Sequence, residues 1–394
     1  MRFAAVRTRE TGRRDLIGAW LRPNSGVSTD RSLHPLLVME GDLTMVVVGV
    51  DSHKATHTFV AVDENGRELA SRTLPATPGG HLEALRWAQT WPERRWALED
   101  CRHLSRRLDS DLVRAGEAVV RVPPKLMAGA RRSGRERGKS DPIDALAVAR
   151  AAMREPNLPA ARLDGPDREL RLLVDHREDL VCERTRAQNR LLWHLHELEP
   201  GWKLPAGSLS TLKTLDAVLA RIADHEGVVG EIARDLVEDI RRATTRVNAL
   251  ERRISALVSP LTPALLALGG CGALTAAKIV GETAGVSRFR SRAAFARHNG
   301  SAPIPAWSGN SDRHRLNRGG NRQLNAALHR IAITQMQRPG PAREYIAKRR
   351  AAGDTKTEAI RALRRRISDE VYRRLLTDER ARTPHHPSCL SQAA

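Results

Sequence analysis

The chain has 394 residues, which suggests two or three domains with ample core. Its 66 Lys and Arg outnumber 46 Asp and Glu, and the net charge of +20 points to a polyanionic partner, nucleic acid far ahead of membrane. No apolar run reaches the roughly 18 residues that a transmembrane helix needs. Cys101, Cys182, Cys271 and Cys389 show no CxxC spacing, which argues against a zinc ribbon or a disulfide framework, so a cytoplasmic protein is expected.

Residues 1–44 are Arg-rich, carry no secretory apolar region and show no periodicity. They read as a disordered basic extension or a misassigned start. From Met45 the pattern turns β-rich. Val46 to Asp51, His57 to Asp63 and Arg67 to Leu74 read as three strands, the last two joined by the Asn-Gly turn Glu64-Asn65-Gly66. A helix over His81–Trp91 follows, then a strand ending Arg95-Trp-Ala-Leu-Glu99, a helix over His103–Ala115, a strand over Ala118–Val122 and an alanine-rich helix opened by Asp141. The order β-β-β-α-β-α-β-α is that of an RNase H-like domain, a mixed sheet that presents acidic residues at strand ends.

Four carboxylates fit that frame. Asp51 ends the buried run Met45-Val-Val-Val-Gly-Val-Asp51, Glu99 ends the second run, and Asp141 and Asp144 lie three apart in Lys139-Ser-Asp-Pro-Ile-Asp144, on one helical face. Converged, they would repel at neutral pH unless hard divalent cations, Mg²⁺ or Mn²⁺, held them together, as in a two-metal phosphodiester-cutting site. Taken singly, each is equally a cap or turn residue, and Asp141 before Pro142 makes a good N-cap sequence.

Between the fifth strand and the acidic helix runs a glycine-punctuated basic loop with Arg121, Lys125, Arg131, Arg132, Arg135, Arg137 and Lys139. Beside a metal site such a loop would hold a nucleic-acid backbone in reach. Its Gly134-Arg-Glu-Arg-Gly138-Lys139-Ser140 imitates a phosphate-binding P-loop but is one residue short between the glycines and follows no apolar strand directly. With only 3% aromatic residues, backbone contacts are expected to outweigh base stacking.

Residues 166 to 258 read as helical. One long helix spans Arg168–Leu198, and Ile232, Leu236, Ile240, Val247, Leu250, Ile254 and Leu257 form a coiled-coil-like seam suited to an antiparallel hairpin or a dimer contact. Leu265 to Gly281 resembles a helix-hairpin-helix, whose turn amides can bind phosphate, or else a tight turn in a core. Further on, Ser308 stands in a Pro/Gly-rich loop, followed by Arg313, His314, Arg315, Arg318 and Arg322. A serine hydroxyl needs a base or a cation-rich pocket to act as a nucleophile, and by composition alone Ser308 is a loop serine.

Asp51-Ser-His-Lys, Leu98-Glu99, Lys139-Ser-Asp-Pro-Ile-Asp144-Ala and the Gly300…Pro303…Ser308-Gly309…Asn317-Arg-Gly-Gly-Asn-Arg322 block together resemble the IS110 family of transposases, from about Val46 to about Arg338. The resemblance implies an α/β RuvC-like DEDD domain over 45–160, an all-α coiled-coil linker over 161–262 and a mainly α transposase domain over 263–345, with a basic tail from 346 to 394. It implies a recombinase that excises and inserts its element, guided by a structured RNA and acting at the nucleoid. Asp51, Glu99, Asp141 and Asp144 would bind Mg²⁺ or Mn²⁺. Ser308 would attack the DNA phosphate, with Ser301 and Ser311 as alternatives. Lys125, Arg131, Arg132, Arg135, Arg137, Lys139, Arg313, Arg315, Arg318 and Arg322 would contact DNA or RNA. A dimer or tetramer would assemble the site between protomers. The competing readings are a metal nuclease that resolves branched DNA without the serine, and a non-catalytic nucleic-acid-packaging protein.

Overall fold

The computed structural model describes residues 45–124, 126–127, 140–155, 157–306 and 314–382. The chain falls into two compact units divided between Asp164 and Gly165.

The first unit is a mixed sheet covered on both faces. Its strands are β1 (Val46–Ser52), β2 (Thr56–Val62), β3 (Glu68–Pro75), β4 (Arg94–Glu99) and β5 (Val119–Val122), in the order β3-β2-β1-β4-β5. β1 runs antiparallel to β2 and parallel to β4, and β4 parallel to β5. Every residue of β1 is buried, because helices α1 (Pro78–Ala88) and α2 (Arg102–Arg114) cover one face and α3 (Asp141–Arg154) the other. Val46, Val48 and Val50 point one way and Val47 the other, which is why this strand reads as an unbroken valine run. The β2–β3 connection is a five-residue loop, Asp63 to Arg67, with Gly66 at φ +74°, pinned by Asp63, whose carboxylate accepts from the Asn65 and Arg67 amides.

Helix α1 starts three residues before the sequence expectation. Pro78 fits the first helical position, the Thr77 hydroxyl accepts from the Gly80 amide, and a side chain at Gly80 would lie 2.0 Å from the Pro75 carbonyl. Gly80 is thus a packing requirement, whereas Gly79 has room for a side chain. Arg121 is also reassigned: its guanidinium pairs with buried Asp109 rather than serving the basic loop. The other cations of that loop, Lys125, Arg131, Arg132, Arg135, Arg137 and Lys139, lie outside the described residues.

The second unit is helical. Helices α4 (Pro166–Leu198) and α6 (Val228–Leu261) pair antiparallel: Glu169 meets Arg253, Arg177 meets Glu251, and Arg184 meets Thr244. Leu236, Ile240, Val247 and Ile254 of the expected seam are buried, whereas Ile232 is exposed. Near the far end, Leu191 and Leu195 pack with Leu215 and Val218 of α5 (Leu212–Arg221). At the other end, α4 and α6 share one apolar cluster with α7 (Pro263–Leu266), α8 (Ala273–Thr283), α9 (Arg292–His298), α10 (Arg322–Gln337), α11 (Pro341–Ala351) and α12 (Lys356–Arg382).

Two expectations change here. Residues 346–382 are no basic appendage: Ala359, Leu363, Ile367, Val371 and Leu375 recur every four residues on α12 and enter the shared core. The helix-hairpin-helix-like turn is a packing element, since α7 is a single turn and the Gly269 carbonyl accepts from Gln335 Nε2 at 2.7 Å. A side chain at Gly270 would also press on Thr334 and the Ile331 carbonyl. No helix among the described residues is long and apolar enough to cross a membrane.

Candidate metal centre and nucleic-acid contacts

The acidic site is built by register. Val50 of β1 lies opposite Leu98 of β4 in the parallel pair, so the next residues, Asp51 and Glu99, stand at the same edge of the sheet. The first turn of α3 reaches that edge because β1 carries Gly49. A side chain there would meet the Ala145 carbonyl at 2.2 Å and the Ala149 amide at 2.6 Å. Glycine in a strand interior is costly, and it is used where another backbone must approach closely.

That approach brings Asp141 and Asp144 to Asp51. Asp51 and Asp144 are each 5% exposed, and Asp141 is exposed at the helix start. Ser140, not Asp141, holds the N-cap position, and its side chain makes no cap bond. The capping explanation for Asp141 therefore fails, and its carboxylate faces the site instead. Burial pushes the Asp51 carboxyl above the usual range; His53 opposes that shift, and Asp144 and Asp141 add to it. Glu99 shares this environment: burial first, then Glu99, and more weakly Asp51, raise the Cys101 thiol.

The sequence reading missed His53. Its Nε2 lies 3.0 Å from Asp51 Oδ2 and 3.3 Å from Asp141 Oδ1, bridging the two carboxylates. One donor atom each from Asp51, His53 and Asp141 falls within 4.8 Å of the others, close enough to hold one cation. The available signal was its position two residues after Asp51, on the same side of an extended chain.

A histidine pair lies behind the same strand end. His57, opposite Ser52, stacks on His81 with ring centroids 5.3 Å apart, and His81 Nδ1 meets Asp111 Oδ2 at 2.7 Å. Burial, with His81 and His53 nearby, lowers the His57 imidazole from 6.5 to about 4. A folded-state value below the unfolded one means that this stability is fully present above about pH 6.5 and drains as pH falls towards 4, each unit being worth about 1.4 kcal/mol. His57→Phe is expected to flatten that part of the melting-temperature profile. An equally steep profile in the variant would remove His57 as its cause.

In the second unit, Ser308, Ser311 and Arg313 lie outside the described residues, but their flanks are well defined. Ile304 and Pro305 (β6) pair antiparallel with Arg315 and His314 (β7), holding the ends of that segment side by side. A set of asparagines anchors this hairpin; Asn317 and Asn321 belong to the quoted block but were given no role, and Asn299 and Asn325 were not singled out. Asn317 Nδ2 donates to the Arg297 carbonyl, Asn325 Nδ2 to the Asn299 carbonyl, and Asn299 Nδ2 to Ser368 Oγ. Asn321 caps α10 and donates to Glu282 at 2.6 Å. Gly320 abuts Gly300, where a side chain would come within 2.4 Å of the backbone nitrogen. Ser301 lies within this lattice with its Oγ buried, while Arg315, Arg318 and Arg322 are exposed.

A mixed sheet thus carries carboxylates at adjacent strand ends and on the helix that faces them, an acidic cluster of the kind that holds a divalent cation. A transposase family model matches residues 48–200, and the model described as Transposase IS116/IS110/IS902 family matches residues 263–347. An uncharacterized 44.8 kDa protein of insertion element IS116 from Streptomyces clavuligerus is 30% identical, covering 86% of this chain and 96% of that protein. An uncharacterized 42 kDa protein of IS900 from Mycobacterium paratuberculosis is 26% identical, covering 89% of this chain and 99% of that protein. Thermus thermophilus RuvC, solved with a Holliday junction substrate, is 18% identical over 30% of this chain and 99% of its own, with a TM-score of 0.24. The chain belongs to the IS110 family of transposases.

Proposed function

We propose that this transposase excises and inserts its element by divalent-metal-dependent strand cleavage, with Asp51, Glu99, Asp141 and Asp144 as the acidic site and Ser308 as nucleophile. The observation that carries the acidic half is the meeting of Asp51 and Asp141 around His53, with Asp144 acting on Asp51 from the same helix turn. Carboxylates crowded this closely suit a hard cation, and the oxygen-rich donor set favours Mg²⁺ or Mn²⁺; His53 adds a nitrogen donor that suits Mn²⁺ better than Mg²⁺. Bound there, a divalent ion supplies Lewis-acid stabilisation of the phosphoryl oxygens.

The remaining chemistry belongs to the chain. Ser308 Oγ attacks the scissile phosphorus and forms a phosphoserine ester; the P–O bond to the departing strand breaks, and the released deoxyribose hydroxyl takes up a proton. A strand hydroxyl later reverses the step and frees the serine. The paired strands at Ile304–Pro305 and His314–Arg315 flank the segment that holds Ser308 in sequence, and the exposed Arg315, Arg318 and Arg322 supply phosphate contacts. The buried hydroxyl of Ser301 makes it the weaker candidate. Family membership supports an element-encoded RNA guide, and a dimer or tetramer would bring acidic and serine halves from different protomers.

Trapping decides between the readings. Wild-type protein incubated with element-end DNA should form a denaturation-resistant adduct that Ser308→Ala abolishes. An adduct surviving Ser308→Ala removes that serine. Unchanged cleavage by Asp144→Asn in Mg²⁺ removes the acidic site, and cleavage without any adduct leaves a metal nuclease.

A further inference from the structure

A cavity of about 220 Å³ opens beside the serine hairpin, one wall formed by Leu316, the residue after β7. Its polar lining is Arg322, Asn325, Thr357, Arg361 and Arg364, with no carboxylate among the lining residues. Three guanidinium groups thus face one space. Arg364 is half-buried; its Nη1 donates to Asn325 Oδ1 at 2.9 Å, while its Nε is buried without a protein partner. Of the acids near these arginines in sequence, Glu358 accepts from the Thr355 amide and hydroxyl in a capping box at the start of α12 and also feels Arg361, while Asp369 pairs with Arg365.

The backbone adds to the positive potential. Arg322 is the first residue of α10, and Thr357 lies in the first turn of α12, so two helix N-termini meet at this cavity. Three cations and two positive helix ends in one pocket repel, and a buried guanidinium nitrogen left unpaired is costly. The arrangement is complementary to an anion with several acceptor oxygens, and guanidinium forks match phosphate geometry.

We propose that this cavity is a phosphate-binding site, gripping a backbone phosphodiester of the bound nucleic acid through Arg322, Arg361 and Arg364, with Thr357 offering a hydroxyl. The site adds Arg361 and Arg364, on the helix that follows the matched family segment, to the nucleic-acid contacts. It rests on neither the serine nor the acidic site.

The test is binding by the full-length protein across a salt series, read by fluorescence anisotropy on two probes: a random-sequence duplex DNA and an RNA hairpin. Arg361→Gln is the main variant, because Arg361 is exposed and carries no core packing. Arg380→Gln, exposed near the far end of α12, makes the same charge change away from the cavity. Losing one phosphate contact should reduce the slope of log affinity against log salt by about 0.9 on the duplex DNA, and by about 0.7 if the contact falls in the single-stranded loop of the hairpin. Arg361→Gln is expected to show such a fall on at least one probe, and Arg380→Gln on neither. A fall confined to DNA assigns the pocket to the DNA backbone, and one confined to RNA to the guide. Equal slopes for Arg361→Gln and Arg380→Gln on both probes overturn the proposal. The binding readout needs no strand cleavage, so failure of the cleavage reading is seen separately.

Discussion

Asp51→Asn is expected to lower strand cleavage by more than about a hundredfold, since losing even a group that merely orients a metal ligand costs about 10–100-fold. The same change should leave the metal-free protein at least as stable as wild type. Asp51 is 5% exposed, burial disfavours its charge, and Asp144 and Asp141 repel it, with His53 easing the crowding. Asparagine keeps the shape and removes the charge. Metal should reverse the order: at about a hundred times the dissociation constant, a bound ion stabilises the folded state by about 2.7 kcal/mol. Wild type should gain that on Mn²⁺ addition in a thermal melt, and the variant much less. Equal gains, or cleavage at the wild-type rate, would show that Asp51 is no ligand.

Much of the acidic site was legible because its signals are local. A valine run ending in Asp51 reads as a buried strand end, and Asp141 and Asp144 share a face by spacing alone. What joins them is not local. His53 is a single histidine past a strand, and only the folded chain sets it between two carboxylates. The asparagines around the serine hairpin were hidden for a related reason: Asn299, Asn317 and Asn325 look like turn residues, yet each serves by reaching a backbone or side-chain group elsewhere in the chain. Helix α12 shows a different failure. Its apolar residues recur every four positions, but dense arginines between them made the segment read as a tail. That misreading concealed Arg361 and Arg364.

Gly49→Val should be the most damaging small substitution in the first unit. Its added Cβ would stand 2.2 Å from the Ala145 carbonyl oxygen, 2.6 Å from the Ala149 amide nitrogen and 2.8 Å from Ala149 Cβ. Two of these are backbone atoms of a regular helix, which cannot rotate away as a side-chain end can. Overpacking typically costs about 1–3 kcal/mol and sometimes more, and the upper end is expected here because β1 is buried over its whole length. Relief requires α3 to lift off the sheet, carrying Asp141 and Asp144 away from Asp51, and a displacement of about 1 Å in a catalytic arrangement can cost about a hundredfold in rate. Adding Ala149→Gly to the Gly49→Val protein should not rescue it, because the second change removes only the Cβ contact and leaves both backbone ones. Gly79→Ala provides the control: in α1 its nearest neighbour would be Thr77 Oγ1 at 3.9 Å, so helix propensity should make it neutral or slightly stabilising. A Gly49→Val protein that melts and cleaves like wild type would mean that close strand–helix contact does not set the acidic site.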